Sequence, residues 1–167
     1  MVDRISALVR GFAVGACFVA LQIYFLPRWF GLPRTDRFMA SPWRLLGLVP
    51  CTIGAGLMLV CVWDFGAKGR GTPAPFDPPR RLVISGPYAY VRNPMYLGMG
   101  LFLVGEAVLL TKARADVFLY GAALVLITDL FVHFYEAPTL RGKFGDQYTK
   151  YCAHVRRWIP RLKPYRG

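Results

Sequence analysis

Four long apolar runs constrain this chain more than any other feature. They extend from Ile5 to Pro27 (interrupted by Arg10), Trp43 to Phe65, Pro94 to Thr111 and Ala115 to Tyr135. Each has about the 17 to 25 residues that a helix needs to cross a bilayer core. The first is too long for a secretory leader and three more follow it, so it reads as an uncleaved span. Prolines at 73, 75, 78 and 79 forbid a helix between the second and third runs. Only "TKAR" separates the third and fourth, which makes them a tight hairpin. The expected architecture is all-α, an integral membrane bundle of about four transmembrane helices. Residues 1–65 form two N-terminal spans. Residues 66–167 form a catalytic region: a Pro/Gly-rich loop, the hairpin 94–135 and a C-terminal segment, 136–167, carrying an amphipathic helix.

Charge orients the bundle. Lys and Arg exceed Asp and Glu by 12 in a chain that is 55% hydrophobic. The N-terminus, the 64–93 loop and the tail carry 15 basic residues, against 6 on the other side. Positive charge concentrates on the cytoplasmic side, so both termini are expected there. Basic residues lying between and after apolar runs are the flanks of membrane spans, which sets aside a nucleic-acid-binding role. The four cysteines show no CxxC spacing and there are two histidines, His133 and His154, so neither a disulfide framework nor a metal site is expected.

In the tail, Leu140, Phe144, Tyr148, Tyr151 and Val155 recur on one helical face. That face suits either an anionic membrane surface or packing on the loop. Gly145-Asp146 is a candidate break in this helix.

Ionisable groups inside an apolar span are costly and mark candidate sites. Glu106 lies within the third run. Asp129, His133 and Glu136, spaced i, i+4, i+7, share one face of a regular helix near the end of the fourth. The segment "GPYAYVRNPMYLG", Gly86 to Gly98, opens the third run. Asn93-Pro94 is a helix start, with Asn as cap and Pro at the first position. A helix N-terminus also attracts anions, Arg92 adjoins it, and Tyr88, Tyr90 and Tyr96 add rings and hydroxyls. Gly98, Gly100 and Gly105 let a second helix or a ligand approach the backbone. Together these features describe a site for a small, partly anionic, partly aromatic ligand.

"GPYAYVRNPMYLG" and the later "YEAPTLRGKFGDQYTKYCAHVRRWIPR" resemble the membrane methyltransferases related to isoprenylcysteine carboxyl methyltransferase and phospholipid N-methyltransferase. That family shows G-P-Y-x-x-x-R-[HN]-P-x-Y-x-G at a span start. It then shows E-E-x-x-L-x-x-x-F-G-x-x-Y-x-x-Y, ending near W-I-P. The resemblance covers Gly71 to Arg161. It implies S-adenosylmethionine as methyl donor, held by Tyr88, Arg92, Asn93, Tyr96, Gly98, Glu136 and Leu140. The acceptor would be a lipid, such as a prenylcysteine carboxylate or a phospholipid amine, entering from the membrane. Glu136 and His133 are the candidate bases for an amine acceptor, with Arg92 the third candidate catalytic group. Two positions depart from the family pattern. Asn93 replaces its usual histidine and cannot exchange a proton near neutral pH. Ala137 replaces the second glutamate. An NADPH-dependent membrane reductase of the sterol reductase type is the rival enzyme, and a transporter or scaffold the non-catalytic alternative.

Overall fold

The computed structural model describes residues 5–6, 9–10, 12–13, 16–17, 20–29, 42–70, 79–109 and 114–166. They are helical, with irregular connections and no strand among them. The described part of the N-terminal run ends in a wide turn, Leu21–Phe25, and the short helix α1, Leu26–Trp29. A 3-10 turn, Pro42–Gly47, leads into α2, Leu48–Asp64, and a wide π-type turn, Phe65–Gly69, prolongs it. Helix α3 is Pro94–Leu109, α4 is Arg114–Phe131, and α5 is Ala137–His154. A third wide turn, Val132–Glu136, joins α4 to α5. Prolines 73, 75 and 78 and the hairpin linker 110–113 lie outside the described residues.

Among the described residues two helices are long and apolar enough to cross a membrane, Pro42–Gly69 with 28 residues and Phe118–His154 with 37. Their apolar stretches are only 33% and 17% buried against protein, unlike the mostly buried core helix of a soluble protein. Ile53, Leu59, Val60, Leu119, Val125, Leu126 and Ile127 all face outward. Helix α3, an apolar helix of 16 residues, falls short of that length. Of the four expected spans, two are thus long enough to cross a membrane, the third falls short, and the first is described only in part.

The most extensive contact joins α2 to α3 along a seam of small residues. A Cβ on Gly105 would stand 2.5 Å from the Gly47 carbonyl oxygen and 2.5 Å from Cys51 Sγ. A Cβ on Gly98 would stand 2.8 Å from the Gly54 carbonyl oxygen. Below this seam Met58, Cys61, Val62, Met95, Met99, Leu103 and Leu124 close the core, with Tyr88 reaching in from the connecting segment.

Three boundaries differ from expectation. Helix α2 and its wide turn run to Gly69, and the chain leaves at Arg70 in the left-handed region (φ 53°). The loop therefore starts four residues later than Gly66. The fourth run does not end at Tyr135: the helix continues through Val132–Glu136 into the tail without leaving helical geometry. Pro138 explains the wide turn, because its ring would crowd the carbonyl four residues back in a regular helix. Gly145 is the expected break, a kink with φ 51° and ψ −125° inside α5.

The wide turn also changes the helical phase. Asp129, His133 and Glu136 share a face only at 3.6 residues per turn. Widening the last turn swings Glu136 away from the other two.

Candidate functional site

The site lies at one end of the bundle, where the segment 85–93 is wedged between the end of α2 and the tail. Ser85 is extended, and Gly86 turns the chain at φ 62°. Glycine is required there twice over. The left-handed conformation disfavours a side chain, and a Cβ would collide with Asp64 Oδ2. Asp64 is 3% exposed and its other oxygen pairs with Lys68 Nζ at 2.6 Å.

A 3-10 turn, Gly86–Ala89, follows, closed by the Tyr90 N–H donating to the Pro87 carbonyl at 3.0 Å. It drives Tyr88 into the core, where its ring stands edge-on to Phe65 at 5.4 Å. Burial holds the Tyr88 hydroxyl well above the usual tyrosine range, so it stays protonated. The Tyr151 hydroxyl, from α5, donates to the Tyr88 carbonyl at 2.7 Å.

The tail returns over the same segment. After α5 the chain becomes extended at Val155. The Arg92 N–H donates to the Arg156 carbonyl at 3.0 Å, the Arg161 N–H to Tyr90 at 2.9 Å and the Tyr165 N–H to Ala89 at 2.9 Å. Residues 155–165 thus form a strap along 89–92. The apolar face of α5 packs beneath it: Tyr148, Tyr151 and Val155 are buried, with Leu140 and Phe144 against them and Leu82 and Ile84 of the loop opposite. Of the two partners the sequence allows that face, the structure supplies the loop.

Each expected site residue has a definite place. Arg92 Nη1 donates to Cys152 Sγ at 2.8 Å, while its Nε is buried without a partner. The Asn93 carbonyl accepts the first helical bond of α3, from the Leu97 N–H at 3.2 Å. Its side chain is 7% exposed, yet the amide nitrogen has no partner. One helical turn on, the Tyr96 hydroxyl donates to Glu136 Oε2 at 3.2 Å. The Trp158 ring lies 6.4 Å from that of Tyr96. Glu136 lies just past the fourth apolar run. Burial raises its carboxyl above the usual range, against the Tyr96 hydroxyl and the Arg157 charge, which lower it.

Two expected residues stand apart. Gly98 faces Gly54 across the α2–α3 seam, so the close approach it permits is that of a helix. His133 is exposed, its ring edge-on to Phe134 at 4.8 Å, because the wide turn separates its face from that of Glu136. Asp129 accepts from Trp158 Nε1 at 2.8 Å and from Arg157 Nη1 at 3.3 Å.

Asp64 and Trp158 belong to the site's surroundings and carry no site signal of their own in the sequence, and Tyr151 enters there only as part of the apolar face of the tail. The one local signal was the i, i+4 spacing of Asp64 and Lys68. Cys152 is the one cysteine outside the apolar runs.

Buried unpaired donors at a helix N-terminus suit a carboxylate or another anionic oxygen. A carboxylate held by the Tyr96 hydroxyl, with the Trp158 ring beside that of Tyr96, suits a cation. Among the described residues no cluster of His, Cys, Asp and Glu could hold a metal ion.

The sequence profile of one family, phospholipid methyltransferase, matches residues 43–147. The chain belongs to the phospholipid methyltransferase family. The match takes in α2, the segment 85–93, α3, α4 and the start of α5, and so every residue of the expected donor set. It stops short of Cys152 and the strap. No curated protein and no solved structure matches the chain significantly. Membership in the phospholipid methyltransferase family, with the apolar helices, makes this a membrane methyltransferase.

Proposed function

We propose that this protein transfers a methyl group from S-adenosylmethionine to a lipid-like acceptor at the cytoplasmic face of a membrane. The observation that carries the reading is the pair of buried, unpartnered donors, Arg92 Nε and Asn93 Nδ2, beside the Tyr96–Glu136 pair. Their charges complement a zwitterionic cation. Arg92, Asn93 and the first turn of α3 would receive the donor's carboxylate. Glu136, with the Tyr96 ring, would face its positive groups. Tyr88 and Leu140 would supply apolar wall. Gly98 would serve indirectly, by seating α3 on α2. When bound, S-adenosylmethionine supplies an activated methyl group on a sulfonium, a leaving group that needs no metal.

The chain's own contribution is positioning and exclusion of water. The strap and Tyr151 fix the backbone of 88–92, and Tyr96 orients the Glu136 carboxylate. If the acceptor is an amine, Glu136 is placed to take its proton. A carboxylate acceptor needs no base. The catalytic unit includes the end of α2, since Asp64 and Phe65 support the segment. In this reading the four apolar runs span the membrane with both termini cytoplasmic, and the acceptor enters laterally between helices.

Calorimetric titration of S-adenosylmethionine into the detergent-purified protein, with NADPH in parallel, tests the proposal. Binding of the former should be lost in Asn93→Ala and in Glu136→Gln. Saturable NADPH binding without S-adenosylmethionine binding would replace the methyltransferase reading with that of a reductase.

A further inference from the structure

Asp129 is a polar group that the proposed donor site leaves unused. It lies on the fourth apolar run, two turns before Glu136, with its side chain 43% exposed. A carboxylate in such a position is costly unless something satisfies it. The strap does so from outside the helix, with the Trp158 indole N–H at 2.8 Å and the Arg157 guanidinium at 3.3 Å, both on Oδ1. These are side-chain ties between the strap and α4, whereas the strap's backbone bonds run to residues 89–92.

Both partners of Asp129 bear on the site. The Trp158 ring neighbours Tyr96, whose hydroxyl orients Glu136. The Arg157 charge reaches Glu136 as well as Asp129. Arg157 therefore has two carboxylates to choose from. Its bond to Asp129 leaves Glu136 to Tyr96 and to a ligand.

We propose that Asp129 is a positioning residue: it clamps the strap through Trp158 and withholds Arg157 from Glu136, keeping that carboxylate open to a cationic ligand. The second role rests on the donor-site reading above, and the first does not. Two substitutions separate them. Asp129→Asn keeps an oxygen that can accept from Trp158 but removes the charge that holds Arg157. Asp129→Leu removes both.

The test uses the full chain in nanodiscs, labelled with 5-fluorotryptophan, with the Trp158 resonance assigned through Trp158→Phe. Without any donor, Asp129→Leu should shift or broaden that resonance, and Asp129→Asn should leave it near its native position. A native-like resonance in Asp129→Leu overturns the clamp. In the second arm S-adenosylmethionine is titrated. Asp129→Asn should weaken binding about tenfold, and Asp129→Asn/Arg157→Gln should recover most of it, because no freed cation remains to occupy Glu136. Native affinity in Asp129→Asn, or no recovery in the double variant, overturns the withholding role. If the native protein binds no S-adenosylmethionine while the resonance moves as expected, the donor reading falls and the clamp is supported.

Discussion

Replacing Gly86 with alanine tests how the end of α2 supports the site. Two costs arise together. At φ 62° a Cβ brings the left-handed penalty, about 1–2 kcal/mol. That Cβ also collides with Asp64 Oδ2, and overpacking of this kind costs about 1–3 kcal/mol. The sum, about 2–5 kcal/mol, falls on the turn that carries Tyr88, Arg92 and Asn93. Every 1.4 kcal/mol is tenfold in an equilibrium. Where the turn gives way locally, the lower figure corresponds to a loss of up to about thirtyfold in donor affinity, because only the native-like fraction binds. The second-site control is Asp64→Ala. Its lost partner, Lys68, is half exposed and can turn to solvent, and the carboxylate removed has an unpartnered buried oxygen. Asp64→Ala alone should therefore be close to native. Combined with Gly86→Ala it should recover the overpacking share and leave the backbone share. Stability can be read as the temperature at which the buried Cys51 and Cys61 thiols begin to react with a maleimide dye. A Gly86→Ala protein as stable and as tight-binding as the native one refutes the reasoning, as does a defect that Asp64→Ala leaves untouched.

Three further outcomes are expected. Gly98→Leu places a side chain where the Gly54 carbonyl oxygen stands 2.8 Å from the Cβ position, so it should lower the thermal onset of aggregation in detergent by several degrees, while Gly100→Leu, with nothing within 4 Å, should not. Pro138→Ala removes the ring that opposes a regular helix. It should leave thermal stability unchanged or raised, yet weaken donor binding in calorimetry as Glu136 turns from Tyr96. Burial pushes the Tyr148 hydroxyl up from 10.0 to about 12. A raised folded-state value favours the fold below the unfolded value and is lost as pH rises through the folded one. The maleimide temperature should therefore fall between about pH 10 and about pH 12, by less in Tyr148→Phe, and an identical fall in both proteins would count against it.

The sequence made the coarse arrangement legible because that arrangement rests on apolar run lengths and on a few punctuating residues. The α3 start at Asn93-Pro94, the Gly145 kink and the apolar face of α5 follow from local chemistry, and the structure has all three. The phase at Glu136 was not legible in the same way. It depends on a wide turn placed by Pro138, and i, i+4, i+7 counting assumes no such turn. Gly98 was ambiguous for a different reason. A glycine permits close approach, but its partner, here Gly54, lies in another helix. The strap was hidden because backbone bonds such as Arg161 to Tyr90 leave no side-chain pattern. Asp64 was hidden because its role depends on Gly86, which reaches it only through the fold.

Both long apolar helices widen at the end where the site lies, at Phe65–Gly69 and at Val132–Glu136. A regular helix emerging from an apolar run presents its polar residues at intervals of about 100°. That spacing suits a helix that stays straight, and it does not suit one that must aim a single carboxylate at a neighbour. A wide turn shifts the phase within five residues at the cost of poorer backbone geometry, which is why such turns gather at functional sites. In α2 the widening sets Phe65 against Tyr88. In the α4–α5 rod, Asp129 precedes the widening and bonds the strap, and the widening carries Glu136 to Tyr96, where a regular helix would aim both carboxylates the same way. Their separation lets one hold protein while the other remains open to ligand. The family match covers α2 to α4, the start of α5 and both of these wide turns, but it ends at residue 147, before the strap that satisfies Asp129. The helical core therefore carries the aimed carboxylate, and the tail beyond the match completes its surroundings.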